Sequence, residues 1–251
     1  GGFPARYGGR LSSVIDIAMK EGDMKKIHGE GTVGLIASKL TIEGPIKKDK
    51  LSFIVSARRT YIDVLAQPII ADANQSTTGS KGTAGYYFYD LNGKLNWKIS
   101  DKDHLYLSFY SGNDKFYARN SDTYVANGIK ETIDDNYKLG WGNITGAFRW
   151  NHVVNKKLFC NTAITYTRFR FLISAKESVT DLYQSTNTTT TNSDFIQFFS
   201  GIQDWAGKID FDYIPSPNHY IRFGISHIYH TKKGAILAPL SFYRLNFYLK
   251  D

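Results

Sequence analysis

Residues 86–99 read YYFYDLNGKLNWKI. Tyr87, Tyr89, Leu91, Leu95, Trp97 and Ile99 fall on one parity, and Asp90, Asn92, Lys94, Asn96 and Lys98 on the other. Alternation with period two is a strand with one apolar and one polar face. The aromatics gather at both ends of the apolar face, the placement expected of a strand that crosses two membrane–water interfaces.

The pattern recurs outward from this stretch. Leu51, Phe53, Val55 and Ala57 alternate with Ser52, Ser56, Arg58 and Thr60. Leu105, Leu107 and Phe109 oppose Tyr106, Ser108 and Tyr110, and Trp205, Ile209, Phe211 and Tyr213 oppose Asp204, Lys208, Asp210 and Asp212. Tyr137, Leu139 and Trp141 share a parity that Ile144, Phe148 and Trp150 do not, which predicts a β-bulge near Gly142-Asn143. Short polar turns are expected at Lys47–Lys50, Ser100–Asp103, Asn155–Lys157 and Pro215–Asn218, and a hairpin turn near Gly34–Ser38. Long polar loops are expected at Gln67–Gly85, Asn113–Asp135 and Lys176–Ser193. Residues 234–251 carry no legible pattern. Alternating tight turns and long loops, with strands longer than globular sheets use, predict an all-β antiparallel transmembrane barrel rather than a sandwich.

Composition agrees. The 251 residues are 42% hydrophobic and 15% aromatic, with 17 Tyr and 16 Phe, yet no apolar run approaches a helical membrane span. A membrane form of this chain must therefore cross as a closed barrel, which satisfies every backbone group. The net charge of +8 comes from Lys and Arg scattered singly between apolar residues. That is a pattern of solvated lumen and loop charges, not of a nucleic-acid surface. Cys160 is the single cysteine and reads as a strand thiol, with no partner for a disulfide and no catalytic context.

The N-terminal stretch GGFPARYGGRLSSVIDIAMKEGD is more specific. Its Tyr7-Gly8-Gly9-Arg10 turn, the Val14–Ile17 strand, and the Lys20-Glu21-Gly22 lead-in resemble the close of the plug domain in TonB-dependent outer-membrane receptors. Leu40–Leu65 resembles the first barrel hairpins of the Bacteroidetes-type members. The resemblance implies that residues 1–22 end a plug domain and residues 23–251 begin a transmembrane barrel, contributing about nine or ten of 22 strands. Both ends read as cuts, so an internal piece of a longer exported protein is expected.

The function implied is active nutrient uptake across the bacterial outer membrane, without catalysis or cofactor. A glycan, peptide or siderophore would be bound by extracellular loops and plug. The partners implied are outer-membrane lipids and lipopolysaccharide, TonB through a segment upstream of Gly1, and a surface lipoprotein as a further candidate. A passive porin and a structural barrel within a larger assembly are the alternatives.

Arg58, Lys94, Lys98, Asp204, Lys208 and Asp210 are the expected lumen-facing residues. Tyr87 and Tyr89 are expected at one interface, and Trp97, Trp150, Trp205 and Tyr213 near the short turns as a periplasmic girdle. Metal and catalytic sites fail on geometry. His227 and His230 lie three apart, on opposite faces of a strand, and Lys208 interrupts the Asp204/Asp210/Asp212 set.

Overall fold

The computed structural model describes residues 18–78, 81–237 and 246–247; Tyr7–Arg10 and Val14–Ile17 lie outside the described residues. The chain forms one antiparallel sheet whose strands follow chain order: β1 His28–Val33, β2 Ala37–Lys47, β3 Leu51–Thr60, β4 Lys81–Lys98, β5 Asp103–Ala126, β6 Ile129–Asn155, β7 Leu158–Tyr183, β8 Thr188–Ser216 and β9 His219–Leu237. A two-residue strand, β10 Asn246–Phe247, pairs with β9. Among the described residues no pairing joins β1 to the far side, so the sheet is open. No helix among them is long and apolar enough to cross a membrane.

Four expectations are corrected, three loops and one bulge. Gln67–Gly85 is not a loop, because α1 spans Ile62–Thr78 and β4 begins at Lys81. Pro68 inside the helix and the polar run behind it hide the helical signal: Pro68 cannot donate to the carbonyl of Val64. Asp63 in the first turn favours the helix start through the macrodipole.

The regions Asn113–Asp135 and Lys176–Ser193 are likewise not loops but the outer arms of two long hairpins. The first closes on Asn127 (φ 51°) and Gly128 (φ 75°), the paired positive φ that a tight hairpin turn requires. The second is laddered by hydroxyls, with Ser178 opposite Ser193 at 2.9 Å and Thr180 opposite Thr191 at 3.2 Å. Threonine suits a pleated surface, so a polar tract on both faces still forms strands.

No bulge lies at Gly142-Asn143, where β6 pairs without a break on both sides. The parity slip instead marks the point where the apolar residues change faces. Register shifts fall beside the short turns, at Pro45/Lys47, Val153/Asn155 and Tyr213/Ser216.

Directly paired residues share a face, so register sorts the whole sheet into two faces. One is crossed by residues 18–24 and is here called the strap face; the other is the free face. In the turn-proximal half the free face is apolar and exposed, with Leu95, Leu107, Phe109, Phe148, Ile164 and Phe223 all more than a third accessible. Under the strap the buried residues are Ser52, Asn96, Lys94 and Glu43, with Tyr106 the one large buried ring. That is the reverse of a soluble domain.

On β4, β7, β8 and β9 the apolar band is bounded by large residues eight apart, aromatic at every far edge and at two of the four turn-side edges. Eight residues separate Tyr89 from Trp97, Leu158 from Tyr166, Trp205 from Tyr213, and Ile221 from Tyr229. Eight residues span roughly 26 Å along a strand. Following the pairing from Trp97 leads through Leu105, Trp150 and Thr162 to Ile209, four residues short of the edge at Tyr213. The row from Tyr89 ends at Gly201, again four residues from the edge at Trp205. The offset falls between β6 and β7, because Trp97, Leu105 and Trp150 form one directly paired row and Leu158, Tyr213 and Ile221 form another.

Candidate functional site

The strap is fixed by one glycine and one carboxylate. Gly22 has φ +78°, and a Cβ there would lie 2.5 Å from the carbonyl oxygen of Phe53. Only glycine combines that backbone conformation with that approach. The preceding residue supplies the polar anchor. The backbone carbonyl of Glu21 accepts from the Ser52 hydroxyl at 3.0 Å, and its carboxylate lies 3.6 Å from Lys94 and 4.0 Å from Arg149. Asn96 donates to the same carboxylate at 3.4 Å, and Lys94 donates to the carbonyl of Met19 at 2.9 Å.

Beneath this node Tyr106 is held between two cations, with Arg149 4.3 Å and Lys94 5.2 Å from its ring centre. Pairing places Asn96, Tyr106 and Arg149 in one row across β4, β5 and β6, so the sheet register builds the cluster. On the other side Lys20 donates to Glu43, whose carboxylate holds the Lys20 ammonium above its ordinary pKa. Asp23 then turns the chain toward β1. Its carboxylate accepts from the amides of Lys25 at 2.5 Å and Lys26 at 3.1 Å and contacts His28 at 2.9 Å. The amide of Lys25 is the largest of the causes that lower the Asp23 pKa. Clefts of about 710 and 310 Å³ flank the strap, the first beside Lys39, Glu43 and Ser56, the second beside Tyr106, Thr145 and Ala163.

Of the residues singled out from sequence, Lys94 belongs to this node. Arg58, Lys98, Asp204, Lys208 and Asp210 take the same face but stand elsewhere. Arg58 bonds Asp90 and lies over the Phe88 ring at 4.9 Å, while Lys98 pairs with Asp101 at 2.7 Å in the turn. Lys208 and Asp210 pair at 3.0 Å, and Asp204 meets His230 at 2.8 Å. Ser52, Asn96, Tyr106 and Arg149 went unremarked as site residues because only register brings them together.

Among the aromatic residues, Tyr89, Trp97, Trp150 and Tyr213 lie on the free face at the band edges. The indole of Trp150 donates to Asp103 at 3.0 Å beside the turn. Tyr87 lies just beyond the far edge, with Arg59 5.1 Å from its ring centre. Trp205 does not join the turn-side girdle. It stands eight residues from Tyr213, paired with Tyr166 and Tyr229, its ring 4.8 Å from that of Tyr166. Two aromatic edges, not one, are therefore marked on β8.

Just beyond the far edge the strap face carries an aromatic cluster. Pairing aligns Trp141 with Phe171 and Ile173 with Phe198; Tyr86 lies 6.5 Å from Trp141, and Phe171 lies 6.4 Å from Phe198, between ring centres. Among the described residues no group of His, Cys, Asp and Glu is placed to hold a metal. No family model, curated protein or solved structure matches the chain.

Proposed function

We propose that this chain is part of a plugged outer-membrane barrel that takes up a nutrient in an energy-dependent, TonB-driven manner. The observation that carries the reading is the sheet's division of labour. An exposed apolar band about eight residues tall, with Tyr89, Trp97, Trp205 and Tyr213 among its edge residues, is the surface a strand set offers to a bilayer. Its opposite face is polar and holds a segment of its own chain, as a barrel wall holds a plug. A passive porin leaves that face to water, whereas here Glu21, Lys94 and Arg149 tie a strap across it.

The long hairpin arms and the aromatic cluster around Trp141 and Phe171 extend beyond the band on the strap face, where an incoming ligand meets the wall before the strap. The open edges of the sheet are completed by further strands of the same protein.

The test is uptake by cells carrying the intact protein. Accumulation that collapses with a protonophore or with loss of TonB supports the reading, and downhill flux indifferent to both overturns it in favour of a porin. The architecture has its own control: labels at Leu91, Leu95, Ile209 and Phe211 meet lipid-phase quenchers, while labels at Asn92, Asn96 and Asp210 do not.

A further inference from the structure

Helix α1 packs its wrong side outward. Asp63 and Gln67 turn to the sheet, Asp63 reaching Arg59 at 3.8 Å and Gln67 donating to Tyr117. Ile62, Leu65 and Ile69, one helical stripe, point away from it with Val64 beside them, and Ile69 is 72% accessible. A helix on a water-facing surface would present the opposite arrangement.

Its location gives the reason. Arg59 and Tyr117 both belong to the free face by pairing, Arg59 opposite Tyr89 at the far edge of the band and Tyr117 opposite Gly85, four residues beyond. The helix thus lies against the free face within about 13 Å of that edge along the strand.

The charge of this zone is sorted by face as well. At and beyond the far edge the free face carries Arg59, Lys115, Lys138, Arg168, Arg170 and Lys233, and Asp134 is the one acidic residue there among the described strands. The acidic residues of the same strands, Asp122, Glu131, Asp135, Glu177, Asp181 and Asp194, take the strap face instead. Composition cannot produce that segregation; it needs a reason specific to the free face.

We infer that α1 is an interfacial helix seated in the lipid leaflet at the hairpin end, and that the basic residues at the same end of the free face hold the phosphate groups of anionic lipids. The inference rests on the membrane-barrel reading above and adds a second lipid contact to the band. Ile62, Leu65 and Ile69 bury into the headgroup–acyl boundary. Arg168 and Arg170, two and four residues past Tyr166, offer forked donors to phosphate oxygens at the level where headgroups begin.

The experiment uses the intact protein in vesicles of phosphatidylcholine with and without lipid A. Nitroxides are placed singly at Leu95, Leu65 and Ile69 in a Cys160→Ser background. Collisions with oxygen should exceed those with an aqueous nickel chelate by about threefold more at Leu65 and Ile69 than at a label on Asn127 at a hairpin tip. Replacing Lys115, Arg168 and Arg170 together by Gln should weaken lipid A retention about tenfold or more, with the Leu95 label unchanged as the check on folding. Nickel access at Ile69 with Leu95 still in lipid overturns the inference and leaves the barrel reading standing. Nickel access at Leu95 overturns both. Protection of Ile69 only in the presence of a co-purified protein assigns the helix to a protein partner and overturns the lipid assignment.

Discussion

Gly22 and Phe53 approach so closely that the smallest side chain would lie 2.5 Å from the Phe53 carbonyl oxygen. Gly22→Ala therefore meets both a positive φ and a backbone clash, a combined cost of roughly 2 kcal/mol or more. The expected outcome is a loosened strap on an unchanged sheet. A cysteine at the partly covered Met19 in a Cys160→Ser background should react with a water-soluble maleimide at least about tenfold faster in the variant. An unchanged rate would show that Gly22 does not set the approach.

The Glu21–Lys94 pair is unequal, Lys94 being buried and Glu21 nearly half exposed. Glu21→Gln should loosen the strap by less than about 1 kcal/mol, as for an exposed ion pair. Lys94→Met should cost about 1–3 kcal/mol, because it also leaves the Met19 carbonyl without its donor and the Tyr106 ring without one of its cations. The two changes should couple by roughly 0.5–1.5 kcal/mol in a double-mutant cycle read by the same maleimide assay. Additive effects would mean that the carboxylate and ammonium act independently.

Trp205 and Trp97 are expected at opposite edges of the band. With all other tryptophans replaced by Phe, each should be quenched by bromine placed near the headgroup and less by bromine at the bilayer centre. An aqueous quencher added only at the hairpin side should reach Trp205 and leave Trp97 bright. Equal quenching of both from one side would overturn the two-edge assignment.

The Asn127-Gly128 turn closes the β5–β6 hairpin with two positive φ values. Gly128→Val should cost about 1 kcal/mol or more at the tip alone. Amide exchange is expected to accelerate at Ala126 and Ile129 and to stay unchanged at Leu107 and Phe148. Acceleration throughout the hairpin would show that the turn supports the whole arm.

Asp23 titrates below its ordinary value of 3.8, chiefly because the Lys25 amide donates to the ionised form. A carboxylate lowered on folding contributes stability that is fully present above 3.8 and is lost as pH falls through the lower folded value. Carboxyl carbon chemical shifts should give a midpoint below 3.8, and Asp23→Asn should speed amide exchange at Lys25 and Lys26. A midpoint at or above 3.8 would remove the turn from the strap's anchors.

Much of this was legible in the chain. Alternation in YYFYDLNGKLNWKI and its counterparts determined an all-β antiparallel sheet, and the polar turns marked where it reverses, because side-chain period is a local property of a strand. The Lys-Xaa-Gly lead-in pointed to Lys20 and Gly22, but not to Phe53 as the reason for the glycine. Polar hairpin arms were hidden because alternation is invisible once both faces are hydrophilic. Asn127-Gly128 was the one local signal that could have exposed the first of them.

What tertiary structure decided is everything that depends on register. Sequence placed Trp205 and Tyr213 on one parity but could not set them at opposite edges, since an edge is defined by neighbouring strands. It could not bring Asn96, Tyr106 and Arg149 into one row, nor sort basic from acidic residues onto opposite faces beyond the band. A slip of one residue in pairing would invert every such assignment. Local chemistry fixed which residues alternate; pairing between strands fixed what each of them faces.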